Sequence, residues 1–394
     1  MASFVDLSTD EQCASDLITY HCTLSKFDEE KAALFRKERE QYCSTNFKPL
    51  LEELVATPLE IGEASARDVS EHFNAACCLL CKLDAQSLKP CLLKFANTLA
   101  ANTADGCPLR LKMLATLVNL FHTEHKCDLF LVYLRYAQRT DALSDVQPYL
   151  RKIDELAKKW GATPAQRAEM LLIAHTMAKA RPDLRTVEYQ ILCNYLETLN
   201  GASAADLAAA KDQSIRACAL AILLPEVYQC DKLLELSAVK ALESMSEHRA
   251  LLQLLQIYVK EDVQAFNRFA EQNPSVLSSL ELDQEDCRRQ IRLLSLATLG
   301  CAENKTVPYA DVARKLLIDE ADVEDWVISA VSTKIVTAKL NQISRTVTFE
   351  SALLRSFDTD HWVGIQNKLN IWKKNVGCLI DLIQSTQHQA MSAQ

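Results

Sequence analysis

From about Ser65 to Gly300 the sequence runs as helix-length segments of about twelve to twenty residues, divided by short breaks at prolines or polar clusters. "PLRLKMLATLVNLFH" sets Leu114, Leu117, Val118 and Phe121 on one stripe, and "DLRTVEYQILCNYLETL" does the same with Leu184, Val187, Ile191, Tyr195 and Leu199. A helix that is apolar on one side must cover that side on a neighbour, and short loops make consecutive helices antiparallel. One hairpin cannot cover its own apolar face, so the expected architecture is a stack of hairpins, an α-solenoid. No strict repeat consensus is present, and the hairpins are therefore irregular relatives of one another. The first sixty residues also read as helical, with "FDEEKAALFRKEREQY" suited to a solvated face and an early boundary expected between Pro58 and Ala66.

Glycine usage narrows the chemistry. The seven glycines, Gly62, Gly106, Gly161, Gly201, Gly300, Gly364 and Gly377, all stand alone. A phosphate-cradling loop needs clustered glycines so that backbone N–H groups can approach the anion, and a nucleophile elbow needs them beside its serine. Walker-type hydrolysis, dinucleotide binding of the usual kind and serine-hydrolase chemistry are disfavoured. The fifteen cysteines follow no short-spaced framework, and "MASFVDLSTDEQ" lacks the basic flank and apolar core of a signal peptide. Reduced thiols in a cytosolic or nuclear protein are the expectation. The longest apolar run, Ala217 to Leu224, is far below the ~20 residues that span a bilayer, so no membrane association is expected. A net charge of −9 with no basic block argues against nucleic acid as the main ligand.

The segment from residue 301 to 352 changes character. "VPYADVARKLLIDEADVEDWVISAVSTKIVTAKLNQISRTVTFE" reads as a short extended entry at Thr306 to Pro308 and then two helices. The first carries Tyr309, Val312, Ala313, Leu316 and Leu317, and the second carries Val323, Trp326, Val327, Ala330 and Val331. Two alternating strands follow, with Val336, Ala338 and Leu340 on one face of the first and Val347 and Phe349 on one face of the second, Thr348 lying between them. Helix, turn, helix and hairpin make a winged helix. Such a module reads DNA through the front of its second helix, but that end carries Asp319, Glu320, Asp322, Glu324 and Asp325, which would repel phosphates. Specific DNA reading is not expected, and Lys334, Lys339 and Arg345 leave room for weak RNA contact at most. A hairpin with open edges on a helical body is a joining device.

A winged helix that follows stacked helical hairpins resembles the PCI module, found in subunits of the proteasome lid, the signalosome and translation initiation factor three. The resemblance covers about residues 190 to 352 and rests on "HRALLQLLQIYVKEDVQAFNRFAEQNP" and "VEDWVISAVSTKIVTAKLNQISRTVTF". Within the family the initiation-factor branch is indicated by "FVDLSTDEQ", "LRLKMLATLVNLFH", "LLELSAVKALE", "AENKTVPYADVARKL" and "HWVGIQNKLNIWKKNV". The resemblance implies a non-catalytic, cytoplasmic scaffold with no cofactor. Its partners would be other PCI and MPN subunits, with the small ribosomal subunit engaged through the complex. It also implies side-by-side association through winged helices whose hairpin edges extend a sheet between subunits. A PCI subunit of the signalosome or proteasome lid is the alternative reading.

Beyond the hairpin, Trp362, Ile365, Leu369, Trp372, Val376, Leu379 and Ile383 are spaced alternately by three and four, a heptad seam. A narrow stripe suits packing between other helices, and an assembly helix is expected in the segment 353–394. The competing reading folds this helix back on its own winged helix. Domain organisation is thus expected as 1–60, an N-terminal helical segment; 61–300, the hairpin solenoid; 301–352, the winged helix; and 353–394, the assembly helix and tail.

Candidates for sharper chemistry are weak. Cys78 and Cys81 form a C-x-x-C near Cys77, Cys91 and His72, yet no second pair supplies the four ligands of a structural zinc. His122 and His125 in "HTEH" lack the glutamate spacing of a zincin helix. His175, a turn beyond Leu171 and Leu172, reads as a buried core histidine. No catalytic, cofactor or metal residue is nominated. A cysteine- or zinc-dependent enzyme and an RNA-binding winged helix are the rivals from other classes.

Overall fold

The computed structural model describes residues 10–392 apart from 26, 45–47, 57–65, 104–105, 225, 245–247, 280–281, 302–304 and 358. The expected boundary between Pro58 and Ala66 falls almost wholly outside the described residues. The chain forms two compact units, Met1–Leu199 and Asn200–Gln394. It is mainly α, built of helical hairpins that lead into a winged helix and a C-terminal helix.

In the first unit consecutive helices pair as hairpins, including Cys107–Leu120 with Thr123–Arg139 and Pro164–Lys179 with Arg185–Thr198. Asp10–Leu24 packs against Ala66–Leu80, and one apolar cluster runs from Cys13 to Ile191. Helix starts are written in the sequence. Thr163 accepts from the Gln166 backbone N–H while the Gln166 side chain reaches back to the Thr163 N–H, with Pro164 in the first turn. Thr123–Arg139 is buried on most of its circumference, from Phe130 and Leu131 through Tyr133, Leu134, Tyr136 and Ala137, as the central helix of a stack must be. His175 is buried as expected, with its Nδ1 3.6 Å from a carboxylate oxygen of the fully buried Glu188 on the partner helix.

The second unit has a helical part and a winged helix. Helix Arg249–Lys260 is followed by Val263–Gln272, started by the Asp262 carboxylate accepting from the Ala265 N–H. Gln284–Gly300 then runs beneath the winged helix, placing Leu293, Leu296 and Ala297 against Tyr309, Val312, Val323, Val327, Val347 and Phe349. The winged helix comprises strand β1 (Thr306–Pro308), helix Tyr309–Leu316, helix Val323–Ser332, β2 (Val336–Asn341) and β3 (Thr346–Ala352). Helix Thr359–Ser392 closes the chain.

Three details correct the sequence expectation. The hairpin is not alone: β1 pairs antiparallel with β3, giving a three-stranded sheet in the order β1-β3-β2. Leu317 is not on the apolar face of its helix, because it is the left-handed cap at φ 53° and is turned outward. Val331 is exposed and Trp326 only half-buried, so the second helix buries Val323, Val327 and Ala330 alone. A short helix lying on one layer covers a narrower stripe than its periodicity allows.

Candidate partner interface

The winged helix is fastened to the helices before it by three basic side chains. Arg292 donates from Nε to the Leu316 carbonyl at 3.2 Å and from Nη2 to that of Leu317 at 3.3 Å, under the Trp326 ring at 5.1 Å. Lys315 Nζ pairs with Asp262 at 3.1 Å. Arg355, just past β3, donates to the carbonyls of Ile257, Tyr258 and Glu261 at the end of Arg249–Lys260, at 3.0, 2.6 and 2.8 Å. Burial pulls the Arg355 guanidinium down to about 10, and the carboxylate of Asp262 works against that shift. Gly300 completes the seat, since a Cβ there would lie 2.6 Å from the Ala352 Cβ and 3.1 Å from the Phe349 ring. The wing is therefore held in a fixed orientation on its support.

Strand order decides which backbone is open. The Phe349 N–H donates to the Lys305 carbonyl, so Phe349 and Val347 turn their backbone groups toward β1, and Thr348 turns its own toward Lys339 of β2. Val347 and Phe349 are buried in the wing's own core, and Thr348 lies in the central strand with neighbours on both sides. These three cannot form a free sheet edge. On β2, Ala338 and Leu340 stand opposite Phe349 and Val347 and turn their N–H and C=O groups outward, while their side chains rest half-buried on the core face. Val336 is buried at the start of the strand. The opposite edge of the sheet is three residues long and includes Pro308, which lacks a donor. Among the described residues β2 is thus the longer open edge.

The helix Thr359–Ser392 carries the whole expected seam, and all of it faces solvent. Trp362, Ile365, Leu369, Trp372, Val376, Leu379 and Ile383 are each between 38% and 72% exposed. The fold-back alternative is not adopted. Near its root Phe357 touches the helix, its ring stacking on His361 and standing edge-on to Trp362 at 4.9 Å. Residues outside the seam were missed from the sequence: Ile371 and Leu382 are also exposed, with Cys378 between them. At about 100° per residue these three fall on a second stripe well away from the heptad seam. Their spacing of seven and four was the available signal. On the winged helix, Ile328 and Val331 form a further exposed apolar pair on the helix that would read DNA in other proteins.

Charge on this face opposes nucleic acid. Glu324 accepts from Tyr309 at 3.2 Å and from Gln342 at 2.8 Å, and Glu320 pairs with Arg345 at 3.3 Å. Lys339 pairs with Glu350 at 2.5 Å, and the hydrogen bond it donates to that carboxylate raises the pKa of the Lys339 ammonium. Two of the three basic residues considered for RNA are therefore engaged locally. Among the described residues no group of three or more His, Cys, Asp or Glu side chains is placed to hold a metal ion, and no helix is long and apolar enough to cross a membrane. Burial raises the Cys77 thiol well above its ordinary range, which suits a small apolar side chain in the core.

Helices that lead into a firmly seated winged helix, with an open strand edge and an uncovered helix beyond it, define a class. Residues 270–351 match the family model described as "PCI domain". Over most of its length it is further similar to proteins named "Eukaryotic translation initiation factor 3 subunit M": 29% identical to that of Dictyostelium discoideum, across 98% of this chain and 97% of the relative. The identity is 24% to that of Phaeosphaeria nodorum, across 96% and 88%, and 24% to that of Nematostella vectensis, across 73% and 74%.

Proposed function

We propose that this chain is a non-catalytic scaffold subunit of a cytoplasmic eukaryotic translation initiation factor three complex. It joins PCI and MPN neighbours and, through the complex, supports engagement of the small ribosomal subunit. In this reading the segment 301–352 contributes the open edge of β2 and the segment 353–394 contributes an assembly helix, each to a different contact. The observation that carries it is the exposure of a complete heptad seam on a helix of 34 residues. Each large apolar side chain that is buried contributes about 1.5–3 kcal/mol, so leaving seven in water is costly unless a partner covers them. The near full-length similarity to proteins named as initiation-factor subunits supports this host complex over the alternatives. Native mass spectrometry of the assembly purified through this chain tests the reading. Initiation-factor subunits, present in equal amounts with it, are the expected outcome, and proteasome-lid or signalosome subunits in their place would refute it.

A further inference from the structure

The first unit holds a feature that the scaffold reading does not use. Phe130 and Tyr133, nearly one turn apart on Thr123–Arg139, stack with centroids 5.8 Å apart, and Tyr149 and Trp160 stand edge-on to Phe130 at 6.0 and 5.3 Å. These four rings, with Leu156 and Asn119, line a cavity of about 130 Å³. An apolar cavity of roughly 150 Å³ holds one benzene. The size therefore admits a single phenylalanine- or leucine-sized side chain and excludes a nucleotide or a cofactor. The Asn119 amide, the Tyr149 hydroxyl and the Trp160 indole N–H make no hydrogen bond among the described residues, which leaves polar groups for a ligand backbone.

The charge around the cavity gives the occupant its sign. Lys112, Lys126 and Lys159 each lie three or four residues from a lining residue, Ala115, Phe130 or Leu156, and so share its helix face, and Lys152 is the N-cap residue of the helix that carries Leu156. None of the four forms an ion pair among the described residues. Of the acids within four residues of a lining residue on the same elements, Asp128 is held by Lys89 and Asp154 by Lys158 and Arg167, while Asp145, one turn before Tyr149, and Glu155, beside Leu156, form no ion pair among the described residues. Four cations outside ion pairs against two such anions is a local excess of positive charge in a chain whose net charge is −9. Single-stranded RNA fits poorly, because Phe130 and Tyr133 are only 2% and 3% exposed and offer no open platform for base stacking.

We propose that this pocket is a docking site for an acidic linear segment of a partner protein, which inserts one phenylalanine- or leucine-sized side chain while its carboxylates meet the surrounding lysines. The test is fluorescence anisotropy of the full chain with a labelled heptapeptide that carries a central phenylalanine and three glutamates on either side. Saturable binding that weakens at least about tenfold when the central residue is alanine is expected, with a similar loss for Tyr149→Ala. The double variant Lys112→Glu/Lys152→Glu changes exposed positions only, and it should abolish binding at unchanged thermal stability. The proposal is overturned by no saturation below about 1 mM peptide, by equal affinity for the alanine-centred peptide, or by equal binding to the lysine variant. It is equally overturned if a ten-nucleotide oligouridylate binds more tightly than the peptide and is weakened by the same substitutions.

Discussion

Three helix C-termini in this chain are closed by arginines from other helices or segments. Arg110 and Arg139 donate to the carbonyls of Leu99 and Ala100 at the end of Ala85–Ala101, Arg292 does so at the end of Tyr309–Leu316, and Arg355 at the end of Arg249–Lys260. The last carbonyls of a helix have no partner in the helix and sit at the negative end of its dipole, so a guanidinium satisfies both conditions. Histidine plays the opposite part. His21 and His72 are buried with ring centroids 5.8 Å apart beside Phe35, and neither ring nitrogen of His72 has a partner among the described residues. Desolvation, with His21 adding to it, lowers His72 from 6.5 to about 3. His21 is lowered by desolvation too, against Glu53 and together with Arg39. A depressed folded-state pKa means that the unfolded chain takes up the proton first, so stability is full above pH 6.5 and falls as the pH drops toward 3. The slope for His72 alone is about 1.4 kcal/mol per pH unit. Urea titrations from pH 7 to pH 4.5 should show His72→Leu with a slope shallower by about one proton, and an unchanged slope would show that His72 is protonated in the folded chain. Gly300→Ala is expected to lower the unfolding free energy of the chain by about 1–3 kcal/mol, since backbone and Ala352 must separate to admit the methyl group. Denaturant titration measures it, and a neutral effect would mean that the wing shifts freely on its support.

At the scale of elements the open edge is the informative feature. Ala338 presents its N–H to solvent on the outer side of β2, so Ala338→Pro removes a donor that no strand of this chain uses. The expected result is a folded chain that co-purifies with fewer winged-helix neighbours. Undiminished co-purification would exclude β2 as a sheet-forming contact. Thr348→Pro breaks pairing inside the sheet instead and should lower stability. The winged helix was largely legible in the sequence because alternation in Val336–Asn341 and the helical period in Tyr309–Leu316 are local signals. The pairing of β1 was not, since three residues ending in Pro308 carry no period and their partner lies about forty residues on. The outward turn of Leu317 depends on a single left-handed residue that apolar spacing does not report. Of the residues expected at the interface, the exposed stripe of the tail helix was legible as a heptad, whereas Val347, Thr348 and Phe349 were misplaced because alternation gives the face of a strand and not its position in the sheet. The partners of His175 and Arg355, namely Glu188 and the carbonyls at Ile257 to Glu261, are contacts across elements that no spacing rule encodes.

For the whole molecule the proposed function comes down to two packed units and an exposed apolar helix that partner chains would cover. The seam from Trp362 to Ile383 contributes nothing to the core of either unit, so charging it should leave folding unchanged and remove assembly. Exposed substitutions away from such features alter stability by no more than about 0.5 kcal/mol, whereas a carboxylate placed in a helix–helix seam opposes its burial by several kcal/mol. The direct measurement compares wild type with Leu369→Asp/Val376→Asp by thermal unfolding of the isolated chain and by incorporation into the native complex. The account predicts the same unfolding midpoint within about one degree and loss of incorporation. A lowered midpoint of the isolated chain, or undiminished incorporation of the double variant, would contradict it.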